Sequence, residues 1–157
     1  MRDAVTAYIG LGANLGDAAQ AVRDAIGQIS ALPQTTLTRH SSLYRTAPID
    51  AAGPDYVNAV AELATHLSAP ELLAQLQRLE LQAGRRRPYR NAPRTLDLDL
   101  LLFGDGRIAS AALTVPHPRL RERAFVLVPL AEIAPQRVPA DWLAAVAGQP
   151  LKRLPPA

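Results

Sequence analysis

The segment from Leu96 to Phe103, LDLDLLLF, can settle only as a strand with two unlike faces. Side chains two apart on a strand share a face. Strict alternation puts Asp97, Asp99, Leu101 and Phe103 on one side and Leu96, Leu98, Leu100 and Leu102 on the other. The leucine side has to be buried. The two carboxylates stand roughly 6.5–7 Å apart along the strand and repel each other unless a positive charge sits between them. A hard cation held by oxygen ligands meets that need. Directly ahead lies GRRRPYRNAPR, with five arginines (Arg85, Arg86, Arg87, Arg90 and Arg94) and no acid. Many cations beside a carboxylate-bound metal point to a polyphosphate ligand, with Mg²⁺ on the carboxylates and arginines on the phosphate oxygens. Either feature alone is commonplace: most Asp-x-Asp pairs are solvated strand ends, and most arginine clusters are wet surfaces. Their order sets them apart, a cationic loop feeding a rigid acidic strand.

A chain of 157 residues is enough for one domain, here taken as residues 1–157 with one core; a domain of this size buries roughly 70% of its unfolded surface. The sequence contains no cysteine, which excludes disulfides, thiolate chemistry and cysteine-ligated metals and fits a reducing compartment. Met1 to Thr6 carries Arg2 and Asp3, so no signal peptide is expected. No apolar run approaches the roughly 20 residues of a membrane span. A soluble, cytoplasmic monomer without a membrane partner is the expectation. The net charge is +3, and the bases are 16 arginines and one lysine, Lys152. Nine of those arginines fall between Arg85 and Arg123, a local patch that suits an anionic ligand better than a long nucleic-acid track.

Along the chain, Val5 to Leu11 reads as a buried strand. Gly10, Gly12 and Gly16 miss the dinucleotide-binding spacing by one residue and are expected to make a tight turn. Asp17 should cap a helix from Ala18 to about Ala31, with Val22, Ile26 and Ile29 inside and Pro33 as its stop. Thr35 to Ala47 reads as one long strand, Pro48 to Pro54 as a turn, and Tyr56 to Thr65 as the returning strand. Ser68 and Glu71 form a capping box, with Pro70 in the first helical turn. That helix should bury Leu72, Leu73, Leu76 and Leu79 and end at Gly84. After the acidic strand come a stiff turn, Thr114 to Pro118, and a last short helix from Ala124 to Ile133. The Pro- and Ala-rich tail from Pro135 carries no clear signal. The expected fold is α+β, a ferredoxin-like β-α-β-β-α-β core whose antiparallel sheet has helices on one face and mobile loops around the site.

The assembled motifs are Tyr8-Ile9-Gly10-Leu11-Gly12-Ala13-Asn14-Leu15-Gly16, Tyr44-Arg45-Thr46 and Asp55-Tyr56-Val57-Asn58-Ala59, then Glu80 ahead of Gly84-Arg85. They continue with Pro93-Arg94-Thr95-Leu96-Asp97-Leu98-Asp99, Pro116-His117-Pro118 and Arg123-Ala124-Phe125. Over roughly Ala7 to Pro135 the chain strongly resembles the 6-hydroxymethyl-7,8-dihydropterin pyrophosphokinases of folate biosynthesis. The resemblance implies transfer of pyrophosphate from ATP to the pterin hydroxymethyl group, with release of AMP. It implies two Mg²⁺ ions on Asp97 and Asp99, and phosphate or loop contacts from Arg85, Arg87 and Arg94, with Arg85 and Arg94 serving the chemistry. It places Gln77, Glu80, Leu100, Thr114, His117 and Arg123 on the ATP side. It places the pterin between Tyr56 and Phe125, read by Asn58 and by the chain at Thr46, Ala47 and Ile49. Two positions depart from the family pattern: Asn91 and Pro118 stand where an aromatic is often found, and both touch the ATP side.

Taken without the resemblance, several of these residues have plainer uses. Aromatics such as Tyr56 and Phe125 usually belong to a core, although the chain has only seven aromatics and a flat heterocycle between two rings is a sound use of them. Asn58 carries one acceptor and two donors on a planar amide, the right inventory for a pterin edge, yet it also fits a strand edge. His117, held between two prolines, serves equally well as a structural turn residue. Phosphoryl transfer depends on positioning and charge neutralisation more than on covalent help, so no dedicated base is needed. The basic loop would close over the phosphates as a lid. The competing class is a ferredoxin-like nucleotide- or nucleic-acid-binding module without catalysis. RNA recognition on such a sheet needs stacked aromatics in a K/R-G-F/Y-type motif, which the sequence lacks.

Overall fold

Two local hydrogen-bond arrangements start the first two helices. In the computed structural model, which describes residues 2–47, 54–84 and 96–156, the Asp17 carboxylate accepts from the Gln20 backbone N–H at 3.1 Å and opens α1 (Ala18–Ser30). The Ser68 and Glu71 side chains take each other's backbone N–H groups at 3.2 and 2.8 Å and open α2 (Ala69–Gly84). Both follow the expected caps. α1 buries Val22, Ala25, Ile26 and Ile29. α2 buries Ala69, Leu72, Leu76 and Leu79, whereas Leu73 is only half-buried at the edge of that stripe.

The strands are β1 (Val5–Ala13), β2 (Thr35–His40), β3 (Tyr44–Thr46), β4 (Tyr56–Thr65) and β5 (Asp97–Phe103), followed by a small hairpin of β6 (Ile108–Ala109) and β7 (Thr114–Val115). α3 (Ala124–Ile133), a 3-10 turn (Pro135–Arg137), α4 (Ala140–Ala145) and β8 (Lys152–Arg153) complete the order. The main sheet runs β5-β1-β4-β3-β8, with β2 also on β4, and its pairs are antiparallel. Among the described residues no helix is long and apolar enough to cross a membrane.

Several expectations are corrected here. Gly10 and Gly12 make no turn; both lie inside β1, and only Gly16, at φ 58°, has a turn conformation. The long strand from Thr35 breaks in two, because the Ser41 hydroxyl accepts the Val60 N–H at 2.9 Å in place of a ladder carbonyl. The register between β2 and β4 also slips between Leu37 and Arg39. The tail, for which the sequence carries no clear signal, adds β8, which pairs with Tyr44 and Arg45 at the β3 edge. Alternation on β5 fails near its end. Ile9 pairs with Leu100 but Tyr8 pairs with Leu102, leaving an extra residue at Leu101. Such a bulge flips every side chain beyond it. Leu101 and Leu102 therefore share one core cluster, while Phe103 packs with Leu98 and Leu100 against the other.

Helices do not keep to one face. α1 and α2 cover the face bearing Ile9, Leu11, Leu63, Leu98 and Leu100. α3 covers the opposite face, where Leu127, Leu130 and Ile133 pack with Tyr8, Val60, Leu101 and Leu102. A buried carboxylate sits on this second face. Glu62 accepts from the Tyr8 hydroxyl at 2.8 Å and from Thr38 at 2.8 Å, and pairs with Arg39 at 3.2 Å. Arg39 also donates to the Ile133 carbonyl at 3.0 Å, tying α3 to the sheet. At the other end of the face Glu132 accepts from the Tyr44 hydroxyl at 2.6 Å and from the Ser42 hydroxyl at 2.9 Å. Burial alone would raise the Glu132 carboxyl; these bonds, the Ser42 N–H and Arg153 outweigh it and hold the group below its ordinary value.

Burial, and then the bond to Glu62, push the Tyr8 hydroxyl up to about 12; burial and Glu132 do the same for Tyr44. A raised pKa means that the folded state holds the proton more tightly than the unfolded chain, whose tyrosines titrate near 10.0. The linked stability is therefore complete below the unfolded value and is lost as pH climbs through the folded one. Urea midpoints should hold up to about pH 10 and fall between about pH 10 and 12. Tyr8→Phe should cost about 1–3 kcal/mol at neutral pH, since it strips a buried acceptor of its donor. An alkaline fall of the same size in a Tyr8→Phe, Tyr44→Phe double variant would show that other groups cause it.

Candidate active site

α3 covers only part of its face. Beyond its first turn the sheet is bare and forms a cleft of about 310 Å³. The floor is Gly10 and Gly12 of β1, flanked by Asn58 and Val60 of β4 and by Asp97, Asp99 and Leu101 of β5. Thr46 and Ala47, at the end of β3, and Tyr56 form one rim; Arg123, Phe125 and Val126, at the start of α3, form the other.

Register explains the grouping. Gly12 pairs with Asn58 on one side and with Asp97 on the other. Gly10 likewise lies between Val60 and Asp99. Paired residues share a face, so the side chains of three adjacent strands converge. Asp97 and Asp99 are both exposed, while the leucines between and behind them are buried. The strand is anchored between the two aspartates by Glu80 of α2, whose carboxylate accepts the Leu98 N–H at 2.8 Å.

Asn58 is 6% exposed. Its side-chain N–H donates to the Thr46 hydroxyl at 3.3 Å, and among the described residues its Oδ1 has no hydrogen-bond donor. Tyr56 is exposed. The Arg123 guanidinium lies 5.3 Å from the centre of the Phe125 ring, a cation–π distance.

Of the residues singled out from sequence, Thr46, Ala47, Tyr56, Asn58, Asp97, Asp99, Arg123 and Phe125 all line this one cleft. Gln77 is exposed on α2, and Thr114 is exposed on β7; neither lines it. His117 does not line it either; it is half-buried in the turn after β7, with its backbone N–H on the Leu101 carbonyl at 2.9 Å. Its Nδ1 accepts the Arg119 N–H at 3.1 Å, so the neutral ring carries its proton on Nε2. Leu100 points the other way, into the core under α1 and α2, and only its backbone is left to meet a ligand. Arg85, Arg87, Arg94 and Ile49 lie outside the described residues. Sequence reasoning did not propose Gly10, Gly12, Val60, Leu101 or Val126 as lining. The glycines had a readable signal, since two glycines at alternate positions of a strand leave one of its faces bare.

Among the described residues no group of three or more His, Asp or Glu side chains could hold a metal by itself. Two carboxylates suffice for Mg²⁺, which is usually bound by one or two of them and completes its shell with water and substrate phosphates. The donor set on β5 fits that ion.

The chain is similar to known proteins over most of its length. The family model for 7,8-dihydro-6-hydroxymethylpterin-pyrophosphokinase (HPPK) matches residues 8–135. The 2-amino-4-hydroxy-6-hydroxymethyldihydropteridine pyrophosphokinase of Haemophilus influenzae is 47% identical over 131 residues, 83% of this chain and 82% of the relative. The protein of the same name from Pseudomonas aeruginosa is 43% identical over 155 residues, 94% of this chain and 96% of the relative. Among solved structures, a Plasmodium falciparum HPPK-DHPS variant superposes with a TM-score of 0.69 over 86% of this chain at 13% identity, which speaks to the fold alone. The present chain spans 43% of that longer protein. With the family match covering most of its length and relatives this similar across nearly all of theirs, the chain belongs to the 7,8-dihydro-6-hydroxymethylpterin-pyrophosphokinase family.

Proposed function

We propose that this cleft transfers pyrophosphate from ATP to the hydroxymethyl group of 6-hydroxymethyl-7,8-dihydropterin, a step of folate biosynthesis, with AMP as the second product. The observation that carries the reading is the meeting of Asn58 and the Asp97–Asp99 pair on either side of the glycine-bare strand β1. Adjacent strands are about 4.8 Å apart, so the two rows lie roughly 9–10 Å from each other across the bare floor. A bicyclic acceptor lying on that floor reaches from one row to the other.

Each side chain then has a task. The Asn58 amide offers an unused acceptor and a second N–H to the heterocycle edge. Tyr56 and Phe125 hold the ring's faces, with Thr46, Ala47 and Ile49 closing the edge. Arg123, the cation of the described rim, faces phosphate oxygen. Asp97 and Asp99 hold Mg²⁺, two ions in this reading, and Glu80 keeps their strand in place. Bound there, the metal supplies charge neutralisation for the triphosphate and eases loss of the acceptor hydroxyl's proton. Gln77, Glu80, Arg87, Thr114, His117 and the backbone of Leu100 contact the nucleotide. We read the part from β1 to β5 as a ferredoxin-like core, supported by its strand order β5-β1-β4-β3 and its antiparallel pairing. We also take the chain to act as a monomer in the cytoplasm; the cysteine-free sequence supports the compartment.

The direct test is AMP formation from ATP and its dependence on the pterin. AMP release that requires the pterin supports the proposal; nucleotide binding without AMP would favour a binding module. The pocket itself is tested by Asn58→Ala and Phe125→Ala. Loss of one partner of a buried hydrogen bond costs about 1–3 kcal/mol, and a stacked ring contributes up to about 1.5 kcal/mol beyond its area. Each variant should weaken pterin binding at least about tenfold, with affinity for an ATP analogue alone almost unchanged. Calorimetry with each ligand separately decides it, and equal losses for both ligands would point to a damaged fold instead.

A further inference from the structure

Gly12 occupies a position that no other residue type fits without moving Asn58. It is the penultimate residue of β1, paired with Asn58 on one side and Asp97 on the other, so neither a turn nor a positive φ calls for glycine there. A Cβ built on it would stand 2.9 Å from the Asn58 Oδ1, closer than real Cβ contacts allow. At Gly10 the nearest atoms to the same carbon would belong to the flexible Leu101 side chain, at 3.3 Å. The Asn58 amide is thus bounded on two sides. The Thr46 hydroxyl receives its N–H at 3.3 Å, and the bare Gly12 backbone accommodates its oxygen. The amide is planar, so displacing its oxygen from Gly12 also moves the N–H that Thr46 receives.

We propose that Gly12 is a positioning residue for acceptor recognition, acting through Asn58: its missing side chain sets the orientation in which the Asn58 amide meets the pterin edge. This rests on the pterin reading of the cleft. The expected signature is opposite in sign to ordinary structural damage. Glycine inside a strand weakens it, and alanine reduces the freedom of the unfolded chain, so Gly12→Ala should fold at least as stably as the parent apart from the local shift of Asn58. Its affinity for 6-hydroxymethylpterin, by contrast, should fall about tenfold or more, with affinity for a non-hydrolysable ATP analogue in Mg²⁺ unchanged.

The experiment is a double-variant cycle read by calorimetry with those two ligands on the parent, Gly12→Ala, Asn58→Ala and the pair together, beside thermal unfolding of each. If the added carbon acts through the amide, it has nothing left to displace once Asn58 is alanine, and the pair should lose no more pterin affinity than Asn58→Ala alone. A full tenfold further loss in the pair would overturn the inference, as would normal pterin binding by Gly12→Ala. Failure of the parent to bind the pterin overturns the underlying reading instead, and with it this one. Should Gly12→Ala not fold, Thr46→Val releases the same amide from its other side; unchanged pterin affinity there also overturns the assignment.

Discussion

Replacing Asp97 or Asp99 with alanine is expected to reduce turnover by on the order of 10³-fold or more while leaving the fold intact. Metal ligands stabilise charge in transfer by several kcal/mol, and each 1.36 kcal/mol is about a factor of ten in rate. The effect on folding is expected to be small by comparison. Both carboxylates are exposed, and burial of the strand comes from Leu96, Leu98, Leu100 and Leu101. Thermal midpoints without Mg²⁺ should therefore change far less than turnover. Pterin affinity, held on the other side of β1, should change far less than kcat. The check is kcat from AMP release at saturating Mg²⁺, beside thermal unfolding. Near-normal turnover in either variant would remove the metal assignment.

Arg85→Ala and Arg94→Ala are each expected to lower kcat by on the order of 10²-fold, the scale of losing one preorganised donor to developing charge. In the sequence an acid-free cationic stretch leads straight into the strand that carries Asp97 and Asp99. An arginine that contacts ground state and transition state alike would raise KM and leave kcat untouched. Steady-state kinetics with ATP varied at saturating pterin separates the two cases. A rise in KM alone for both variants would make these residues uniform binders. Arg123→Ala is a useful companion, because its guanidinium also rests on the Phe125 ring and its loss should disturb the pterin wall as well.

What the sequence disclosed depended on how locally each feature is decided. Asp17 with Gln20, and Ser68 with Glu71, are contacts within one turn of helix, and their caps formed as read. Asp97 and Asp99 share a face because a strand's period is two, and that holds as far as Leu100. The bulge at Leu101 could not be read, because it is defined by the partner strand's register at Tyr8 and Ile9. The break at Ser41 likewise depends on Val60, nineteen residues on, which takes the serine oxygen in place of a carbonyl. β8 is two residues long and exists only through its pairing with β3, so no pattern in the tail announces it. Gly10 and Gly12 were visible but were assigned to a turn; a bare stretch of strand and a tight turn draw on the same residue type. Phe125 and Arg123 reach the cleft from a different element, and only the family resemblance brought them to it.

The position of α3 makes β1, β4 and β5 change character along their length. Under the helix, Tyr8, Glu62 and Leu102 lie in a sealed layer; a few residues further along the same face, Gly12, Asn58 and Asp97 meet the open cleft. Substitutions on one strand should therefore divide into two phenotypes according to which side of the helix end they fall. Those beneath α3 would lower the amount of folded protein without altering the kinetics of what remains, and those beyond it would yield abundant protein with altered kinetics. That boundary gives directed evolution a simple map: acceptor specificity can be searched at the open end of each strand, while resistance to unfolding is improved at the covered end, with little interference between the two.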